Sequence, residues 1–153
     1  MNEDRTINAA VSWQGFNHIA VATPDLDATI RFYQDVLGME VGEIYAARGG
    51  KTRHCFIKPG TTAALGLHFW EVSSALARPQ LETLGWQQPG FITAGDMLHI
   101  AFTLPDEAAG LALRERLSRH AVRMDEINDL GEMRSFVFLE NNGVMLEAIW
   151  LKA

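Results

Sequence analysis

The sequence predicts an α+β fold built from two βαβββ modules, and two observations carry that expectation. The phrase HIAVATPD, residues 18 to 25, returns as HIAFTLPD at residues 99 to 106, with five of eight positions identical. Each copy is then followed by the same order of elements: a helix that opens on Pro-Asp and three β-rich segments. The 81-residue offset divides the chain into an N-terminal arm (1–14), a first module (15–72), a linker (73–95) and a second module (96–153). At 153 residues the chain suits one domain with two halves better than two independent domains.

Residues 16–22 (FNHIAVA) alternate as a strand, and 24–37 (PDLDATIRFYQDVL) carry helical spacing. Pro24 suits a first helical position, Thr23 or Asp25 can cap it, and Gly38 is a good terminator. Strands are expected over 39–46, 51–58 and 63–72, punctuated by Gly49-Gly50 and Pro59-Gly60. The second half supplies a strand over 97–104, a helix over 105–120, and strands in VRMDEIN, MRSFVFLE and VMLEAIWL. Asn141-Asn142-Gly143 is a hairpin signal between the last two. The helices correspond under the offset, Ile30 with Leu111, Phe32 with Leu113 and Val36 with Leu117. The linker is long for a connection in a compact domain, with room for a short helix around Leu81; it reads as a spacer, or else as a lid or dimer contact.

The formal net charge of −6 argues against nucleic acid or an anionic membrane surface as the main partner, since either favours a basic face. A single cysteine, Cys55, cannot make an internal disulfide, so the fold needs no oxidising compartment. No apolar run approaches the roughly 20 residues of a membrane helix, and Met1–Arg5 are not followed by a secretory pattern. Cytoplasm is the expected compartment, and a small molecule the expected partner.

Strand alternation sorts the side chains by face. Ile19 and Val21 share one face of the first strand; His18, Ala20 and Ala22 share the other. In the fifth strand Leu98, Ile100 and Phe102 oppose His99, Ala101 and Thr103. The bulky set packs on a helix, so each histidine turns away from it among small neighbours that leave room beside an imidazole. Glu147 lies in the middle of VMLEAIWL, where a carboxylate is costly to bury unless paired or metal-bound. A lone strand histidine is commonly a hydrogen-bonded structural residue. Two at matched positions of a repeat, joined by an inward carboxylate, favour a metal centre of His18, His99 and Glu147. Such a triad leaves coordination positions open for substrate. Under the 81-residue offset the counterpart of Glu147 is Gly66, with His68 two residues on and on the same face.

At these residues the chain resembles the vicinal oxygen chelate superfamily of glyoxalases, extradiol dioxygenases, fosfomycin-modifying transferases, methylmalonyl-CoA epimerases and bleomycin-resistance proteins. FNHIAVATPDLDATIRFYQDVLGMEVG, MLHIAFTLPD and NNGVMLEAIW carry the resemblance, which spans roughly 15 to 151. It implies a cupped, barrel-like mixed sheet with helices outside, one divalent ion (Fe, Mn, Zn, Ni or Co) on His18, His99 and Glu147, and a homodimer. Two departures stand out. The fourth, acidic ligand place of glyoxalase-type isomerases falls on Gly66 or, with a register shift, on His68. The usual DPDG turn is replaced by Glu140-Asn141-Asn142-Gly143.

The expected activity is that of a metalloenzyme acting on a small molecule that chelates the metal through neighbouring oxygens, with His68 as acid–base group. Lack of the acidic fourth place leans towards extradiol-dioxygenase-type chemistry. The alternatives are a glyoxalase-like lyase or isomerase, a fosfomycin-type thiol transferase, a non-catalytic drug-sequestering protein, or a subunit whose active partner lies elsewhere. Trp70 shares the face of His68 and is a candidate pocket residue. His54 and His120 read as structural or surface, Phe69 and Trp150 as core or interface, and Glu71 as solvated.

Overall fold

β1 (His18–Thr23) alternates as its sequence demands: Ile19 and Val21 turn toward the helical side, while His18, Ala20 and Ala22 stay exposed. The computed structural model from which this architecture is read describes residues 14–61, 64–76 and 94–153. The expected helix around Leu81 and nearly all of the N-terminal arm lie outside the described residues.

Asp25, one of the two expected caps, starts α1 (Leu26–Arg31), its carboxylate accepting from the Ala28 N–H at 2.9 Å. The helix does not run on as α to residue 37. Phe32–Val36 form a π-helical turn whose Leu37 N–H reaches back five residues to the Phe32 carbonyl, burying Tyr33. Gly38, at φ +73°, stops it. The strand expected over 39–46 divides into β2 (Glu40–Val41) and β3 (Tyr45–Ala47), followed by β4 (Thr52–Lys58) and β5 (Gly66–Glu71). The first sheet runs β1-β5-β4-β2, with β3 also on β4; β1 and β5 are parallel and the remaining pairs antiparallel.

The second module repeats the plan. β6 (Ile100–Thr103) leads to α2 (Glu107–Arg119), capped by Asp106 on the Ala109 N–H at 2.8 Å. β7 shrinks to Asn128–Asp129, with one isolated bridge from Met124 to Phe138, and β8 (Met133–Leu139) and β9 (Met145–Leu151) form the expected hairpin. The order β6-β9-β8-β7, with β6 parallel to β9, matches the first sheet. This is the α+β architecture of two βαβββ modules that the repeat predicts, in the cupped mixed sheets that the resemblance implies.

One apolar core joins the halves, drawing Leu26, Tyr33 and Phe69 from the first and Leu117, Phe136 and Trp150 from the second. Polar contacts tie them as well. The buried Asn142 side-chain amide donates to the hydroxyls of Thr23 (3.2 Å) and Thr29 (3.3 Å), so the Asn-Asn-Gly turn clamps the start of α1. Phe69 and Trp150 are core residues, as expected.

Candidate metal centre and its neighbouring imidazoles

Strand pairing settles which residue of the first module corresponds to Glu147. Ala101 lies opposite Glu147 in the β6–β9 ladder, and its repeat equivalent Ala20 lies opposite His68 in the β1–β5 ladder. The second module is two residues shorter between those strands, so the 81-residue offset misplaces the match on Gly66. Gly66 has its own reason to be glycine: its φ is +84°, and a Cβ there would meet the Ile57 carbonyl oxygen and sit 2.8 Å from Pro59 Cδ.

On the second sheet His99, just before β6, places Nε2 3.2 Å from Oε2 of Glu147. Glu147 is only 3% exposed, opposite Val137 and beside the small apolar cluster of Val137, Leu139 and Met145. Its other oxygen, Oε1, is buried without a hydrogen-bond partner among the described residues. A buried carboxylate oxygen left with no donor is expensive, and a cation is one of the few things that offsets the cost. The donor set therefore fits a divalent ion.

His18 lies on the exposed face of β1, at the edge of the first sheet. Its Nδ1 is 2.6 Å from the side-chain oxygen of Asn17. An amide oxygen only accepts, so Nδ1 donates to it, and in the neutral ring Nε2 is the nitrogen with the lone pair that a metal requires. The structure thus brings His99 and Glu147 together and leaves His18 on the other sheet. Among the described residues of one chain, no three His, Cys, Asp or Glu side chains converge closely enough to hold an ion.

His68 is buried beside His18, ring centroids 5.3 Å apart, and stacks on Phe56 at 4.1 Å. Its Nδ1 accepts from the Trp70 indole N–H at 3.2 Å, and its Nε2 lies 2.9 Å from Nδ1 of His54. Burial lowers its pKa, and the His54 and His18 rings lower it further. His54 in turn stacks on Trp70 at 4.2 Å and on the half-exposed Tyr45 at 5.5 Å. So the first sheet presents a bank of three imidazoles in aromatic walls. From the sequence alone His54 reads as structural or surface. Its alternation with Cys55 and Ile57 was the available signal, since it puts His54 and Phe56 on the face of His68.

Glu71 is a correction. It lies on the face opposite Trp70, as expected, yet it is bound rather than solvated. Its carboxylate takes the Arg53 guanidinium at 2.6 and 2.9 Å and the Leu26 N–H at 3.2 Å. His120 caps the C-terminus of α2 at the surface.

A model of the Glyoxalase/Bleomycin resistance protein/Dioxygenase superfamily matches residues 15–148. The chain belongs to that superfamily. Among solved structures, this superfamily member is similar to a glyoxylase/bleomycin resistance protein/dioxygenase domain from Frankia sp. EAN1pec, with TM-score 0.69, 18% identity, and 92% and 93% of the two chains covered. A fosfomycin resistance protein, FosX, from Listeria monocytogenes, complexed with Mn(II) and a dihydroxypropylphosphonic acid, gives TM-score 0.62 at 20% identity over 90% of this chain and 92% of that one. At these identities the likeness is one of fold. The mitochondrial methylmalonyl-CoA epimerase of Mus musculus is 40% identical over 52 residues, which is 34% of this chain and 29% of the epimerase. The superfamily includes metalloenzymes and binds small molecules. Among the described residues no helix is long and apolar enough to cross a membrane.

Proposed function

We propose that this protein is a divalent-metal-dependent enzyme acting on a small molecule that offers two neighbouring oxygens. The observation that carries the reading is the His99–Glu147 pair, 3.2 Å apart, with the second carboxylate oxygen buried and unpartnered among the described residues. His99, Glu147 and the bare Nε2 of His18 would hold the metal. When bound, it supplies Lewis-acid polarisation of a chelated carbonyl or hydroxyl. His18 belongs to the other sheet, so its place in the ligand set is filled by a second copy of the chain, which makes the active species a homodimer.

The chain's own groups favour proton transfer next to the chelating oxygens. His68 sits beside His18, neutral at neutral pH, its proton on Nε2 and aimed at His54. That pair can exchange a proton with a substrate carbon or oxygen. Lyase, isomerase or epimerase chemistry follows. Extradiol cleavage is the second reading, favoured by the donor set itself: two imidazoles and one carboxylate leave positions free for a diol and O2.

Two measurements test these readings. Elemental analysis of the purified protein should find about one divalent ion per chain, and His99→Ala should lose most of it, since a three-ligand site has no spare donor. A variant that keeps its metal defeats the ligand set. Oxygen uptake by the Fe(II)-loaded protein with a panel of catechols separates the chemistries: uptake favours ring cleavage, and none leaves proton transfer.

A further inference from the structure

A cleft of about 660 Å³ opens between the modules. Its walls come from the end of the first helix, the β4–β5 turn, β6 and α2. Met39, Phe102, Leu113 and Phe138 make it apolar, and its size falls within the range of small-molecule sites. Three cations line it: Lys58, Arg116 and Arg119. Arg119 is engaged by Glu115 at 3.5 Å. Lys58 stands opposite Glu40 in the β2–β4 ladder. Arg116 has no ion-pair partner among the described residues, yet its guanidinium is seated. It lies against Gly38, where a Cβ would come within 2.9 Å of Nη1. The glycine that ends the first helix therefore also makes room for this guanidinium at the wall of the cleft.

From this arrangement we infer that the cleft binds a small organic anion: a carboxylate or phosphate held by Arg116, with an apolar body along the Phe102–Leu113 wall. Arginine's planar fork matches both oxyanions, and Lys58 adds charge beside it. The inference stands apart from the proposed function: Phe102 and Ala148 meet the cleft on the face of the second sheet opposite Ala101 and Glu147.

The test uses hexyl phosphate, hexanoate and hexanol as probes, titrated calorimetrically into chelator-treated protein, with amide shifts locating each. At least one anion should bind about tenfold or more tightly than the alcohol, the size of a charged hydrogen bond. Whichever anion does so names the head group. R116Q should abolish that preference, L113A should weaken anion and alcohol by similar factors, and R31Q, outside the cleft, should change neither. Equal binding of alcohol and anions, or a preference that survives R116Q, overturns the inference. H99A serves as the separate control: it removes the proposed metal but leaves anion binding intact. Loss of the metal reading and loss of the anion site are therefore read from different variants.

Discussion

His68 and His54 share a hydrogen bond, 2.9 Å from Nε2 of the first to Nδ1 of the second. Trp70 determines its direction. An indole N–H can only donate, so Nδ1 of His68 accepts, the neutral ring holds its proton on Nε2, and His54 receives it. Both nitrogens of His68 are then engaged, Nδ1 by Trp70 and Nε2 by His54. Trp70→Phe should keep the stack on His54 but release Nδ1, and the imidazole 15N shifts of His68 should move toward a mixture of tautomers. The loss in stability should be small, about 1 kcal/mol. Unchanged 15N shifts would mean that the indole does not set the tautomer.

On the proposed function, Glu147 trades stability for metal binding. Its buried Oε1 has no hydrogen-bond partner among the described residues, so Glu147→Gln should leave the metal-free protein as stable or raise it by about 1 kcal/mol in urea unfolding. The same variant should lose the response to metal. In the wild type an ion at a hundred times its Kd adds about 2.7 kcal/mol, or about 5–10 °C in Tm. A variant destabilised without metal, or one that keeps the Tm rise, would contradict this account.

Gly110 is buried on α2 against Trp150, and a Cβ there would lie 2.8 Å from the indole ring. Alanine gains about 1 kcal/mol of helix propensity. Overpacking a closed core costs about 1–3 kcal/mol, and the rigid indole is 1% exposed with little room to move. Gly110→Ala should therefore be net destabilising by up to about 2 kcal/mol in denaturant titration. A stabilised variant would show that the ring slides aside.

Glu71 links the sheet to the start of α1 and brings a pH dependence. Its hydrogen bonds from Arg53, helped by the Leu26 N–H, hold its pKa below the ordinary value of 4.5 against the opposing effect of burial. A depressed folded-state pKa stabilises above the unfolded value, and that contribution fades as pH falls through the folded one. The stability difference between wild type and Glu71→Gln should therefore be largest near neutrality and shrink below about pH 4.5. A difference that stays constant from pH 7 to pH 3 would assign Glu71 no ionic role. Arg53 is partly exposed, so the whole effect should stay near 1 kcal/mol.

Much of this molecule was legible because its signals are local. Alternation along β1 and β9 placed His18 and Glu147 on their faces, and the Pro-Asp starts and Asn-Asn-Gly turn fell where the helices and hairpin formed. The partners of His54 and the ion pair of Glu71 escaped the sequence for a common reason. Their faces could be counted, but their partners come from other strands: Trp70 and His68 for one, Arg53 and the Leu26 N–H for the other.

By itself, the sequence determined two like modules, the strand faces and the residue types able to hold a metal, because period and repetition are written along the chain. The tertiary structure decided what meets what. It matched His68 to Glu147 through strand register, closed His99 onto Glu147, left His18 on a separate sheet, and set Arg116 over Gly38. Those outcomes depend on ladder register and helix packing, where a shift of two residues moves a side chain some 7 Å along the sheet, a distance no local pattern records.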